Sequence, residues 1–262
     1  MRAVRDELVG RGVEATSFDR SRSPGSAPTA EAQRGIALPV LLSIIAGSTD
    51  TIGFLGLNGL FTAHITGNLV VLAARLLAGD PAIVSNMLSV PVFMLVLLLT
   101  RLISSAITAN GGSILRWLLL LQLIMLTAFL VPCTAAGPWR DPNAAFAVVA
   151  GMFGVAAMAV QNALVQIALR NTPSTAVMTT NVTHLMLDVG TVLSGGDATE
   201  IANAKRRALH ILPVVVGFAL GCALGATAES AVGLWSLVMP TALALVVFAR
   251  YGIATDEKQG RG

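Results

Sequence analysis

The feature that most constrains this chain is a run of apolar blocks, each about 20 residues long, joined by short polar connections. A helix of that length reaches across the roughly 30 Å hydrocarbon core of a bilayer. Charged residues fill 12% of the 262 positions and apolar ones 55%, whereas soluble domains carry about a quarter charged residues. The expectation is an all-α, polytopic integral membrane protein. Its principal partner is the lipid bilayer.

The blocks fall into two series of four. Segments a to d are expected at about 36–57, 61–77, 82–99 and 115–131. After the hydrophilic turn at 137–142 the series restarts as a′ to d′, at about 144–169, 175–193, 209–226 and 232–249. Ala46-Gly47 and Asn58 match Ala150-Gly151 and Asn162 at an offset of 104 (47 to 151, 58 to 162). Thr66 and Asn68 match Thr179 and Asn181 at 113 (66 to 179, 68 to 181). Pro91 matches Pro213 at 122, and Trp117 matches Trp235 at 118. Four anchors in one order, with offsets that shift only in connections where insertions are tolerated, predict an internal repeat over 36–133 and 144–251. Residues 1–35 read as a disordered polar tail on the cytoplasmic side, without the apolar stretch of a signal peptide. Residues 252–262 read as a short polar tail.

Segments b and b′ make poor spans. The unbroken apolar part of b covers only 69–77, and b′ carries Thr179, Thr180, Asn181, Thr183, His184 and Asp188. An acidic residue at the centre of a lipid-exposed helix costs about 2.5–3.5 kcal/mol. Such segments are tolerated when shielded by other helices or lining a watery cavity. They are expected as shielded, broken or re-entrant helices, giving six to eight spans. If b and b′ do not cross, the halves are inverted. If they cross, the halves are parallel. Loop charges fit either arrangement, and both place the termini and the Lys205-Arg206-Arg207 loop on the cytoplasmic side.

Polar residues in these segments are the candidates for function. Asp50, flanked by Ser48, Thr49 and Thr51, must be neutral, paired or in contact with water, since an isolated charge in apolar surroundings is heavily penalised. It reads as a proton or cation site, or as a packing hydrogen bond. His64 and Asn68, four apart, share a helical face with Thr66 and Gly67 beside them. Thr180, His184 and Asp188 repeat the spacing. An imidazole next to a carboxylate relays protons near neutral pH. Asp188 aligns with Arg75, which offers an ion pair across the repeat axis. The competing reading has Arg75 capping the end of b or reaching to the interface. Gly217, Gly221 and Gly225 form a ridge suited to close helix approach, within the chain or against a second copy.

Other classes are disfavoured. The net charge of +3 and the pI near 9.4 come from basic residues scattered in loops, with no aromatic–basic stripe for nucleic acid. Cys133 and Cys222 are isolated, read as small buried hydrophobes, and support no metal site or disulfide framework. Asp50, His64, His184 and Asp188 lack a metal-binding spacing. No cofactor motif and no nucleophile–base pair points to an enzyme.

The stretch from Ala46 to Asn68 (AGSTDTIGFLGLNGLFTAHITGN), the run Ala159-Val160-Gln161-Asn162-Ala163, and the stretch from Ser174 to Asp188 (STAVMTTNVTHLMLD) together resemble the YoaK-type DUF1275 family of bacterial membrane proteins, over about 36–251. The resemblance implies a multi-pass protein of the cytoplasmic (inner) membrane, often called a permease. It extends interest to Asp50, Thr66, Gly67, Asn68, Gln161, Asn162, Thr179 and Asn181. The long polar N-terminal stretch departs from the family's usual short start.

The resulting expectation is a secondary transporter for a small solute, proton-coupled through Asp50 with His64 or the His184/Asp188 pair. Thr66, Asn68, Thr179 and Asn181 would bond the solute where b and b′ meet near the midplane. A channel-like pore and a non-transport scaffold are the competing readings.

Overall fold

A computed structural model describes residues 30–253, apart from 110, 111, 138, 140, 142, 171 and 196. The expected tails at 1–35 and 252–262 therefore lie outside the described residues except at 30–35, which are helical, and at 252–253. The chain divides into Met1–Arg34 and Gly35–Gly262. The architecture below is that of the second unit.

The regular structure of the described residues is all helical, as a chain in lipid requires, because a helix satisfies its own backbone donors and acceptors. In chain order the α-helices are α1 (Ala30–Gly56), α2 (Ile65–Ala78), α3 (Val84–Ala109), α4 (Ile114–Ala136), α5 (Ala145–Ala168), α6 (Met178–Ser194), α7 (Ala198–Val232) and α8 (Val238–Val247). A 3-10 turn at Gly233–Leu237 joins α7 to α8, and a π turn at Phe248–Gly252 follows α8. Five stretches are long and apolar enough to span a bilayer: Ile36–Gly56, Val84–Thr108, Ile114–Ala136, Ala145–Ala168 and Ala198–Gly252. The last has 55 residues, over twice the roughly 20 that one crossing needs. It folds back at Gly233, whose φ of +59° suits glycine, so it supplies two crossings. The protein is embedded in a membrane.

Two apolar clusters mark the halves of the bundle and give each helix its direction. The near cluster gathers Leu38, Leu42, Leu118, Leu164 and Val247. The far cluster gathers Ile52, Leu57, Phe129, Ala150 and Leu234. Helices α1 and α4 therefore run from near to far, and α5 and α8 from far to near. Helix α7 runs with α1. Added Cβ atoms at Gly217, Gly221 and Gly225 would meet backbone atoms of Val40, Ile44 and Ser48 in turn. The glycine ridge is thus filled by α1 of the same chain. Gly47 of α1 returns the contact, against the backbone of Phe218 and Cys222.

Helices α2 and α6 do not cross. After α1 the chain reverses through Asn58 (φ +50°) and Gly59 (φ +74°), and residues 60–64 run back beside α1. Helix α2, 14 residues long and so about 21 Å, then returns to the far end. There Arg75 donates to the carbonyls of Asn58 and Ala82 and to Asn86 Oδ1, the last at 3.1 Å. Gly79, with φ +67°, ends α2 in the left-handed conformation. The loop before α6 likewise folds back along α5, and the 17-residue α6 leaves toward the near end. The sequence-equivalent α1 and α5 are antiparallel: Gln161 Nε2 donates to Leu42 O at 2.9 Å, while Leu57 and Leu60 pack at Gly151. In each series the second helix thus turns back toward the end from which its loop entered, and the sequence-equivalent α1 and α5 point in opposite directions.

One expectation is corrected and one pair of alternatives is decided. Lys205-Arg206-Arg207 is not a loop but part of α7, which begins at an Asp197 N-cap accepting from Thr199 N–H at 3.2 Å. Asp188 does not meet Arg75, which stays at the far end beside Asp80, 3.6 Å away.

Candidate functional site

The Asp50 side chain organises the start of α2. It is 4% exposed, six residues before the far end of α1, where a bare carboxylate would be strongly disfavoured. The loop that folds back brings it donors. Oδ1 accepts from the backbone N–H groups of Thr62 (2.7 Å), Ala63 (2.6 Å) and His64 (3.3 Å), and from Thr62 Oγ1 at 3.4 Å. These groups precede the first turn of α2, whose unpaired N–H groups and dipole also favour negative charge. Oδ2 lies 2.6 Å from His64 Nδ1. Asp50 thus bonds the loop with one oxygen and the imidazole with the other.

The loop is wedged tightly. An added Cβ at Gly53 of α1 or at Gly154 of α5 would lie 2.9 or 3.0 Å from Thr62 Cγ2. Asn68 holds it from the other side. Its Oδ1 accepts from Phe61 N–H (2.9 Å) and from Asn86 Nδ2 (3.0 Å), and its Nδ2 donates to Phe61 O at 2.7 Å.

His64 is the part of this assembly that faces outward, with its side chain 39% exposed. Its ring stands edge-on to Phe61 and Phe218, with centroids 6.1 and 5.4 Å away. It opens on a pocket of about 470 Å³ between α1, α2 and α7, lined by Asp50, Thr51, Phe54, Thr66, Phe218 and Cys222 among others, with Gly67 at its edge. Cys222 is half-buried and reaches this pocket, whereas Cys133 is fully buried. Reading both as buried hydrophobes was right only for Cys133.

The second half uses related parts without an acid. Gln161 sits seven residues before the end of α5. Its Nε2 donates to Thr175 Oγ1 and to Leu42 O, both at 2.9 Å, and its Oε1 accepts from Gln122 at 2.7 Å. Asn181 Nδ2 donates to Ser174 O at 2.6 Å. That bond reaches back seven residues, as Asn68 does to Phe61. Both asparagines therefore bind their own loops. Asn68 commits both ends of its amide, to Phe61 and Asn86, while Asn181 commits its Nδ2 to Ser174.

The remaining candidates are dispersed. Asn162 donates to Met158 O in its own helix at 2.9 Å. Thr179 and His184 lie on the exposed face of α6. Asp188 is buried and held by Arg207, with Nε at 3.0 Å and Nη2 at 2.5 Å from Oδ1, so it is paired with α7 and not with His184. Thus Asp50, His64, Thr66 and Gly67 come together at one pocket, while the polar residues of α6 form no common site with them. Sequence reasoning missed Asn86, Gln122, Phe218 and Arg207. The two amides were legible as lone polar residues in apolar helices. Phe218 and Arg207 carried no such mark. Among the described residues no group of three His, Cys, Asp or Glu is placed to hold a metal ion.

A family model described as a protein of unknown function (DUF1275) matches residues 38–250. No curated protein and no solved structure matches the chain.

Proposed function

Because the chain belongs to the DUF1275 family, whose description assigns no activity, we propose from its geometry that it is a proton-coupled secondary transporter of a small solute and not an enzyme. The observation that carries this reading is the buried Asp50 carboxylate, which holds the start of a re-entrant helix while its His64 partner faces a pocket large enough for a small organic molecule. Half-helices that begin part-way across a bilayer are a recurrent way to build a solute site, and inverted halves supply two related conformations.

In this reading the proton and the loop compete for Asp50. The ionised carboxylate accepts from three backbone N–H groups and faces the imidazole. A proton on it removes most of that acceptor strength, loosens residues 60–64 and frees α2 to shift. Solute in the pocket contacts His64 and Thr66, so occupancy by solute and by proton are linked through one loop. Thr51 and the faces of Phe54 and Phe218 supply the rest of the wall.

Charge distribution supports an orientation. Among the described residues Arg101, Arg116, Arg170, Lys205, Arg206, Arg207 and Arg250 fall toward the near end, along with Asp188, Asp197 and Glu200, while Arg75 is at the far end with Asp80, Asp141 and Glu229. The positive-inside rule then puts the near end, and both termini, on the cytoplasmic side of the cytoplasmic membrane.

The test is solute-evoked proton movement in proteoliposomes carrying a lumenal pH dye, screened with small organic acids, amines and neutral metabolites. A solute that shifts lumenal pH with wild-type protein and not with Asp50→Asn supports the reading. Equal shifts in both would remove Asp50 from coupling. No evoked flux for any solute, with Cys222 closed to thiol reagents, would favour a scaffold. Proton leak without solute would favour a pore.

A further inference from the structure

Helix α7 has 35 residues, about 52 Å at 1.5 Å per residue. Some 20 Å of it therefore lies beyond a hydrocarbon core roughly 30 Å thick. Gly217 packs on Val40, only four residues into the span that begins at Ile36, so the excess projects at the near end. There α7 faces the start of α1 and the connection after α5 across a groove of about 1000 Å³. Ile36, Pro173, Leu209 and Ile211 make one kind of wall. Arg170, Lys205 and Arg206 make the other. Arg207 also lines the groove, but its charge is matched by Asp188. Arg206 donates to Asn203 Oδ1 at 3.3 Å. Among the described residues no carboxylate lies within ion-pair reach of Arg170, Lys205 or Arg206.

We infer that this groove holds an anionic phospholipid of the near leaflet, with its phosphate among Arg170, Lys205 and Arg206 and the root of an acyl chain along Ile36, Leu209 and Ile211. Basic pockets at the headgroup level of a helical bundle suit such lipids. Guanidinium groups bind phosphate by charge-assisted, paired hydrogen bonds. A soluble anion would use the cations alone. The apolar wall that leads from them toward the start of a span matches the amphipathic form of a phospholipid. The site joins the connection leading to α6 with α7, beside the Asp188–Arg207 pair, and is independent of the transport reading.

The experiment uses the purified full chain in detergent micelles supplied with phosphatidylglycerol, phosphatidylcholine or inorganic phosphate. Lipid retention is read by native mass spectrometry, and stability by thermal unfolding. Phosphatidylglycerol should be retained and should raise the unfolding midpoint, while phosphatidylcholine and inorganic phosphate should do neither. Retention should weaken about fivefold for each cation removed in Arg170→Gln, Lys205→Gln and Arg206→Gln. It should be unchanged in Arg101→Gln, a cation on the exposed face of α3. Wild type and triple variant should unfold together in phosphatidylcholine. If the triple variant does not fold, Lys205→Gln alone should still show its fivefold loss. Equal retention of the two lipids, or undiminished retention in the charge variants, overturns the inference. Stabilisation by inorganic phosphate alone overturns the lipid source and makes this a soluble-anion site.

Discussion

Replacing Gly221 by alanine adds one methyl group where α7 crosses α1, and the geometry sets its cost. The new Cβ would lie 2.9 Å from Ile44 Cα and 3.0 Å from its carbonyl carbon, and nearer still to the carbonyl oxygen. Carbon atoms in comfortable contact stand about 3.5–4.0 Å apart, so α1 must retreat by roughly 0.5–1 Å. The obstructing atoms are backbone and cannot rotate away like the tip of a side chain. Overpacking of this kind costs about 1–3 kcal/mol. Gly225→Ala meets Ser48 in the same way, 2.8 Å from its carbonyl oxygen and 2.9 Å from its Cα. Ile44 and Ser48 occupy adjacent turns of one helix, so a single displacement relieves both clashes. The double variant should therefore lose less than the sum of the single losses. Gly190 in α6 is the control. Nothing lies within 4 Å of an added Cβ there, and alanine should stabilise the helix by about 0.5–1 kcal/mol. Equilibrium unfolding of purified protein in micelles measures all four variants, and the losses should not depend on protein concentration. A Gly221→Ala loss near zero would refute the close α1–α7 contact. Strict additivity would refute the shared displacement.

Further outcomes follow from the loop contacts. Asp50→Asn keeps an oxygen for the three N–H groups and should cost about 1–2 kcal/mol, whereas Asp50→Ala strands buried donors and should cost about 3–5 kcal/mol. Equal losses by thermal unfolding would mean that the carboxylate does not hold the loop. Asn68→Leu leaves both the N–H and the C=O of Phe61 unpaired and should cost about 2–4 kcal/mol. Asn181→Leu removes one bond to Ser174 and should cost about 1–2 kcal/mol. The reverse order would contradict the assigned bonding. A membrane-impermeant maleimide should label Cys222, which lines the pocket, and leave Cys133, at 1% exposure, unmodified in the folded protein. Labelling of Cys133 alone would place the pocket elsewhere.

Much of the fold was legible because lipid removes alternatives. Apolar stretches near 20 residues become spanning helices, and the predicted segment edges sit within a few residues of α2, α4, α5 and α6. Helix α7 begins 11 residues earlier than segment c′, since a helix with polar and basic turns can continue past the bilayer and hydropathy does not register it. The site was half legible. Asp50 stood out as an acid in an apolar run, whereas His64, expected on a helical face with Asn68, instead precedes α2 as its N-cap. Asn68 and Asn181 were recognised by their matching positions, but their bonds to the preceding loops were not foreseen. Position in a repeat does not show whether an amide faces a solute or its own backbone. Alignment across the repeat offered Arg75 to Asp188, with Arg75 at the end of its own helix as the competing reading; the second holds, and the α6–α7 hairpin presents Arg207 to Asp188 instead.

By itself the sequence determined membrane residence, the number and approximate bounds of the helical segments, and the inability of the second segment in each series to stand in lipid. These are consequences of local composition: the transfer cost of each side chain is set by its own chemistry, and summing over a window decides whether a helix can be bathed in hydrocarbon. Tertiary structure alone decided that α2 and α6 fold back and that α1 and α5 oppose one another. It also decided that the glycine ridge faces α1 and that Asp50 is bound by three backbone N–H groups and an imidazole. Those outcomes depend on which surfaces meet across tens of residues. A buried polar group announces that it needs a partner, but only the packed chain supplies one.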